Sequence, residues 1–256
     1  MNNKKIILLA GSGQSTNIIY NAINQKFGVS TVIIEAPESS KVYFKRRIKR
    51  LGILTVIGQI LFLVSIPKLL RLLSKKRLNS ILTDNKLNDT EIPQSKIKTV
   101  KSVNSKETIE TIVSLQPDLI IVNGTRIISK KVLQSTKCKF INTHAGITPM
   151  YRGVHGTYWA LVNDDLQNSG VTVHFVDEGI DTGNIIAQKQ VIPHKKDNFT
   201  TYPMLQLSSG IILLLNAIEN YFSNNINTLE EKGESKLYYH PTIWSYLYNR
   251  IVKNVK

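Results

Sequence analysis

Asn142, His144 and two acidic turns, Asp177-Glu178-Gly179 and Asp181-Thr182-Gly183, are the residues whose types and spacing suit chemistry. Phe140-Ile141 reads as a strand tip that delivers Asn142 and His144 directly behind it. Alternation through Val171, Val173 and Phe175 reads as a second strand, and the acidic turns follow its end. A carboxamide, an imidazole and a carboxylate carried by strand ends into one turn-rich region are the makings of a polar catalytic pocket. Taken singly, each has a structural alternative, since Asn and Asp form turns and an isolated His is often a satisfied interior residue. The conjunction favours chemistry. Pro149, Gly153, Gly156, Gly170, Gly179 and Gly183 hold the intervening backbone in tight turns, and loops built that way often position functional groups.

The run Asn142-Thr-His-Ala-Gly-Ile-Thr-Pro149, then Tyr151-Arg152-Gly153, and later His174-Phe-Val-Asp-Glu-Gly-Ile-Asp-Thr-Gly183, resembles the paired signature of the folate-dependent formyltransferases. That family includes the glycinamide ribonucleotide, methionyl-tRNA and sugar N-formyltransferases. The resemblance covers roughly Asp118 to Val191 and, more loosely, the amino-terminal strand. It implies catalytic roles for Asn142, His144 and Asp181, and N10-formyltetrahydrofolate as formyl donor. Pro117-Asp-Leu-Ile-Ile-Val-Asn-Gly-Thr-Arg-Ile-Ile128 resembles the strand and loop that hold the folate. Asn123, Gly124, Thr125, Arg126, Ile127 and Ile128 would line that site, with Asp177. The implied reaction is attack of an unprotonated amine on the formyl carbon. His144 and the Asn142 amide would stabilise the oxyanion, and Asp181 would orient His144 or relay the proton. No metal is required, and His155, His174, His194 and His240 lack a ligand spacing; His174 reads as structural or supporting.

The positioning elements follow from periodicity. Lys5 to Ala10 reads as a buried parallel strand, Gly11-Ser12-Gly13 as a turn, and about Asn17 to Lys26 as a helix leading to a strand over Val29 to Ile34. The amino terminus of that helix offers free N–H groups to an anion, so Gly11, Ser12 and Gly13 are candidate phosphate-binding residues on the acceptor, with Tyr151 and Arg152. Two alternatives stand beside this: a dinucleotide turn with Glu35 as ribose contact, and a plain turn capped by Ser15 or Thr16. After a polar link around Asp84 to Lys98 come a helix over Glu107 to Leu115, a strand over Leu119 to Val122 and a helix beginning at Ser129. Ile185 to Ile192 reads as a further strand and Tyr202 to Tyr221 as a long apolar helix. The expected class is α/β: a doubly wound, mostly parallel Rossmann-like sheet with its site at the carboxyl ends of the strands. Residues 1–220 would form the catalytic domain, with a basic and apolar helical insertion at about 40–80. The aromatic extension 221–256 would pack on the domain or stack a base or sugar.

The insertion dominates the charge. Between Ser39 and Thr83 lie eleven Lys or Arg residues and no Asp or Glu, which is +11 of the chain's net +15. Its centre, Gly52 to Ile66, is an uncharged run of fifteen residues, short of the ~20 that cross a bilayer. Peripheral contact of 41–78 with anionic membrane is one expectation, and an insertion packed on the domain is the other. The apolar centre disfavours nucleic acid. The single cysteine, Cys138, and the absence of a secretory h-region at the start point to a cytoplasmic protein, with the inner membrane face as its further expected location.

For the acceptor, the expectation is an amino sugar carried on a nucleotide. The residues after Asn220 do not resemble the RNA-binding domain of the tRNA enzyme. Thr157-Tyr158-Trp159 stands where the purine enzyme's pattern has a histidine. Glycinamide ribonucleotide formylation and formyl-folate hydrolysis remain alternatives within the family. A dinucleotide-dependent oxidoreductase and a non-catalytic membrane module are alternatives outside it.

Overall fold

In the computed structural model, which describes residues 4–256, the first apolar run is strand β1 (Ile6–Gly11). Met1 to Asn3, the start of the amino-terminal run read above, lie outside the described residues. Ile6, Leu8 and Ala10 join one hydrophobic cluster and Ile7 and Leu9 another. The two-residue period of a strand dictates that division, and a run apolar on both faces fits only a sheet covered on both sides. β4 (Leu119–Asn123) divides in the same way, Leu119 and Ile121 to one layer, Ile120 and Val122 to the other.

Helix α1 (Gln14–Lys26) and β2 (Thr31–Glu35) complete the opening unit. An insertion of three helices follows: α2 (Ser40–Leu51), α3 (Ile53–Leu73) and α4 (Lys75–Asp84). Next come β3 (Ile97–Val100), α5 (Lys106–Leu115), β4, α6 (Lys130–Leu133) and β5 (Lys139–His144). The carboxy-terminal half holds β6 (Arg152–Gly153), α7 (Gly156–Val162), β7 (Gly170–Phe175), β8 (Ile185–Gln190), α8 (Tyr202–Phe222), β9 (Leu237–Tyr238) and α9 (Ile243–Val252). The main sheet has seven strands in the order β3-β2-β1-β4-β5-β7-β8, the first five parallel, β7 antiparallel to β5 and β8 antiparallel to β7. Helices α1 and α8 cover one face through Ile19, Ile23, Leu214 and Ile218, while α5 and α6 cover the other through Ile112 and Val132. The expected doubly wound, mostly parallel α/β sheet is what forms.

Two readings need correction. The segment read as a polar link ends in a strand: β3 pairs with β2 at the sheet edge, where Lys98 and Thr99 stay exposed and only Val100 is fully buried. The uncharged run of fifteen residues understated its helix. α3 continues through Pro67, Lys68 and Arg71 to 21 residues, long and apolar enough by length and composition to cross a membrane.

The insertion is anchored on the rest of the molecule at three points. Phe62, fully buried, packs edge-on against Phe199 at 4.9 Å between ring centroids and beside Tyr246 at 5.1 Å. Arg77 grips Asp197 with both Nε (2.8 Å) and Nη2 (3.0 Å), and the Asn198 amide donates to Ser74 Oγ at 2.7 Å. The tail folds back as well. β9 pairs with β6, and the Tyr238 ring stacks on Tyr151 and Trp159, each 5.3 Å away. Gly153 makes that pairing possible, since a Cβ there would sit 2.3 Å from the Tyr238 carbonyl oxygen. The aromatics of 221–256 are therefore engaged largely with Tyr151, Tyr158, Trp159 and Phe199 and with α3.

Candidate functional site

Asn142 and His144 stand two residues apart at the carboxyl end of β5, so strand geometry turns both side chains to one face. β7 runs antiparallel beside them and places His174 directly opposite Asn142. Asp181 comes from the loop between β7 and β8, in the left-handed region at φ 53. That loop is fastened internally by the Asp177 carboxylate, which accepts from Gly179 N (3.0 Å) and Thr182 Oγ1 (2.7 Å). It is fastened externally by Arg152, whose Nη1 donates to the Ile180 carbonyl at 3.1 Å, and by Gly153 N, which donates to Asp181 Oδ2 at 3.0 Å.

The result is a continuous polar chain. His174 Nδ1 donates to the Phe175 carbonyl at 2.7 Å, which leaves Nε2 to accept from the Asn142 amide at 3.2 Å. The same Nε2 lies 3.7 Å from Asp181 Oδ1, and Asp181 Oδ2 lies 3.3 Å from His144 Nδ1. His144 Nε2 donates to the Tyr151 carbonyl at 2.8 Å. The three catalytic residues implied by the resemblance meet here, with His174 as the link between Asn142 and Asp181.

The electrostatics assign the protons. Burial pushes His144 below the usual imidazole range, and although Asp181 opposes this, the ring is neutral at neutral pH. Burial alone would raise Asp181. The facing His144 and the Gly153 N–H outweigh it and hold the carboxyl at about 2. Both nitrogens of His144 therefore face acceptors, the Tyr151 carbonyl and an ionised carboxylate, yet the neutral ring has one proton. A proton arriving at Nδ1 would turn the 3.3 Å contact with Asp181 into an ion pair. The pair is built to receive a proton, while the Asn142 amide keeps an N–H for a developing negative charge.

A cavity of about 420 Å³ contains this chain. It is lined by Asn123, Gly124, Thr125, Arg126, Ile127 and Ile128, by Asp177, and by Asn142, His144, His174 and Asp181. The fold thus brings the expected cofactor-binding and catalytic residues into one space of ligand size, with mixed apolar and polar walls from Val122, Ile128 and Val176 against Asn142 and Asp177. The loop over 124–128 is held by Glu35, whose carboxylate accepts from Arg126 N (2.9 Å) and Val103 N (2.9 Å) and pairs with Arg126 Nη1 (3.1 Å). Those bonds commit Glu35 to the loop and leave the dinucleotide alternative without its ribose contact.

Gly11, Ser12 and Gly13 lie outside that cavity. Gly11 abuts the loop, where a Cβ would meet the Gly124 carbonyl oxygen at 2.6 Å, and Gly13 precedes the first turn of α1. Beside that turn a second cavity, about 570 Å³ and largely apolar, shares Asn123, Thr143 and Ala145 with the first. Gln14 and Ser15 of α1, Lys68 and Arg71 of α3 and Gln206 of α8 also line it. Arg71 reaches Gln14 Oε1 at 3.4 Å, so the insertion places cations beside the amino terminus of α1.

Tyr151 and Arg152 are a correction. The Tyr151 ring is buried against Tyr238 with its hydroxyl on Asp165, and only its carbonyl reaches the site. Arg152 holds the Asp181 loop, and neither side chain lines the cavities described here. Sequence reasoning understated His174, whose role follows from its register opposite Asn142, and left unnamed Lys68 and Arg71, which arrive from an insertion with no local motif.

The family model described as formyl transferase matches residues 4–205. A methionyl-tRNA formyltransferase of Clostridium botulinum is 35% identical over 139 residues, covering 53% of this chain and 44% of the relative. That of Clostridium acetobutylicum is 28% identical over 191 residues, covering 68% and 61%. The chain thus spans less than half the length of the first relative and under two thirds of the second. Among solved structures, a sugar N-formyltransferase from a Shewanella species aligns with a TM-score of 0.58 at 16% identity, covering 92% of this chain and 76% of that one. The phosphoribosylglycinamide formyltransferase of Streptococcus pneumoniae aligns at 0.55 and 21% identity, covering 86% and 99%. An N-formyltransferase of Helicobacter canadensis, solved with folinic acid and dTDP-3-aminofucose, aligns at 0.55 and 18%, covering 91% and 70%. These likenesses show the fold.

Proposed function

We propose a reaction for this chain, which belongs to the formyl transferase family: transfer of a formyl group from N10-formyltetrahydrofolate to a primary amine, the amine being borne by a nucleotide-linked sugar. The observation that carries the reading is the single cavity in which the loop 123–128 faces Asn142, His144 and Asp181. The loop and Asp177 would hold the donor, which supplies an activated formyl carbon. The unprotonated amine attacks that carbon, forming the new C–N bond, and negative charge develops on the formyl oxygen. The Asn142 amide, aligned by His174, donates to that oxygen. The amine proton passes to the His144–Asp181 pair, which returns a proton to the departing nitrogen as the old C–N bond breaks.

The second cavity suits the acceptor. It adjoins the catalytic one across Thr143, whose buried hydroxyl has no partner among the described residues. It offers the amino terminus of α1 with Lys68 and Arg71 for phosphate, and apolar walls from Ile19, Pro67, Val171 and Met204 for a sugar or base. The neighbour solved with a dTDP-linked amino sugar supports this choice. The methionyl-tRNA relatives and the net charge of +15 support aminoacyl-tRNA as the second reading. Incubation with formyl-folate and, separately, dTDP- and UDP-linked amino sugars, glycinamide ribonucleotide, methionyl-tRNA and buffer alone, read by mass, decides. Formylated sugar nucleotide is expected. Product only with methionyl-tRNA or glycinamide ribonucleotide overturns the acceptor, and deformylation without an amine overturns the transfer.

A further inference from the structure

We propose that the outer face of the α3–α9 pair docks onto an anionic lipid bilayer, with α3 lying in the plane of the interface. α3 is apolar nearly all round, yet only 22% of its most apolar window is buried. Leu54, Leu72 and Leu73 stand 73–74% exposed, an arrangement that marks a binding surface more often than a free one. α9 widens the face. Its Trp244 packs against Gly58, between Leu54 and Leu61 on the turns either side, and the helix continues to Ile251, 79% exposed.

Charge selects the occupant. Lys41, Lys45 and Lys49 on α2, Lys68 near the end of α3, and Lys75 and Lys76 at the start of α4 are all exposed and pair with no acid among the described residues. They bracket the apolar face, and the whole segment 39–83 carries no Asp or Glu. A second copy of the chain would bring the same six unpaired lysines to the contact and repel it. A bilayer rich in anionic headgroups answers both the cations and the apolar side chains.

The other side of α3 sets the orientation. Phe62 is locked among Phe199, Tyr158 and Tyr246, and Gln59 donates to the His240 carbonyl at 2.7 Å. Crossing the bilayer would strip these contacts and draw Lys68 and Arg71 into hydrocarbon, whereas lying flat keeps them. Since Lys68 and Arg71 also line the 570 Å³ cavity, docking brings its rim to the lipid surface. The docking does not depend on the reaction assigned above, and its test needs no substrate.

The test is flotation of the full chain with phosphatidylcholine vesicles, with and without phosphatidylglycerol, at about 0.05 M and about 0.5 M salt. Binding to the anionic vesicles is expected, with at least ~10-fold loss of affinity at the higher salt and little binding to neutral lipid. Two double variants, Leu54→Glu with Ile251→Glu and Lys45→Glu with Lys49→Glu, should each lose flotation while keeping the wild-type melting temperature, because all four side chains are exposed. No flotation on anionic vesicles, or flotation indifferent to lipid charge or to both variants, overturns the proposal. So does sedimentation as a dimer that Leu54→Glu with Ile251→Glu splits, because the face would then be a contact between copies.

Discussion

His174→Phe separates alignment of the catalytic amide from everything else the site does. Phenylalanine keeps a flat ring in a position only 2% exposed, but removes both hydrogen bonds of the imidazole. The Phe175 carbonyl loses a 2.7 Å donor, and leaving such a buried group unpaired costs ~1–3 kcal/mol of stability. The Asn142 amide loses the partner that fixes its rotamer but can turn toward water in the cavity, so its cost falls on catalysis. Removing a preorganised donor outright costs ~10²–10³ in kcat, and misaligning one should cost less, roughly 10–10². KM for the formyl donor should change by less than about threefold, because the loop 124–128 is held by Glu35 and the Ala36 carbonyl rather than by His174. Because both residues act through the same amide, the double variant His174→Phe with Asn142→Ala should be no slower than Asn142→Ala alone. Steady-state kinetics at saturating donor, with thermal melting of each variant, measure all of this. Wild-type kcat in His174→Phe, or multiplied losses in the double variant, would refute the link from His174 to Asn142.

Other perturbations probe separate parts of the account. Burial holds His155 down at about 3 and His240 at about 4, so these bases are neutral in the fold and charged in the unfolded chain below pH 6.5. Their stabilisation is complete above pH 6.5 and is lost as pH falls toward 4; discounted for the water that reaches the cavity, the pair should cost roughly 1–2 kcal/mol at pH 5. Melting temperature against pH should show this acid limb, and a flat profile from pH 7 to 4.5 contradicts it. Arg71→Ala should raise acceptor KM by about 5–10-fold, the value of one exposed charge-assisted contact, without altering donor KM; equal changes in both would place Arg71 elsewhere in the reaction. Gly11→Ala puts a Cβ 2.6 Å from the Gly124 carbonyl oxygen and should cost ~1–3 kcal/mol while weakening donor binding, both read by melting with and without formyl-folate.

Much of the architecture was legible because apolar runs such as Ile6 to Ala10 and Leu119 to Val122 admit few readings other than doubly covered strands. The polar chain of Asn142, His174, Asp181 and His144 was legible as residue types at strand ends, but not as a network. That His174 lies opposite Asn142 depends on the antiparallel register of β7, and that Tyr151 contributes a carbonyl rather than its ring depends on Tyr238, far along the chain. β3 was hidden because an edge strand needs little apolar pattern, and only Val100 in it is fully buried. The length of α3 was hidden because Lys68 and Arg71 lie on its exposed side, where charge does not end a helix. Glu35, a ribose contact only in the dinucleotide alternative, is a strut, which the sequence hid because its partners Val103 and Arg126 are distant along the chain.

The central claim is that Asn142, His144 and Asp181, gathered in the cavity closed by residues 123–128, carry formyl transfer. The most direct measurement is single-turnover formation of the formylated amine from saturating N10-formyltetrahydrofolate by Asn142→Ala, His144→Ala and Asp181→Ala, each first shown to melt as a folded protein. The account predicts a loss of at least ~10²-fold for each. Turnover near the wild-type rate from any two of the three would contradict it.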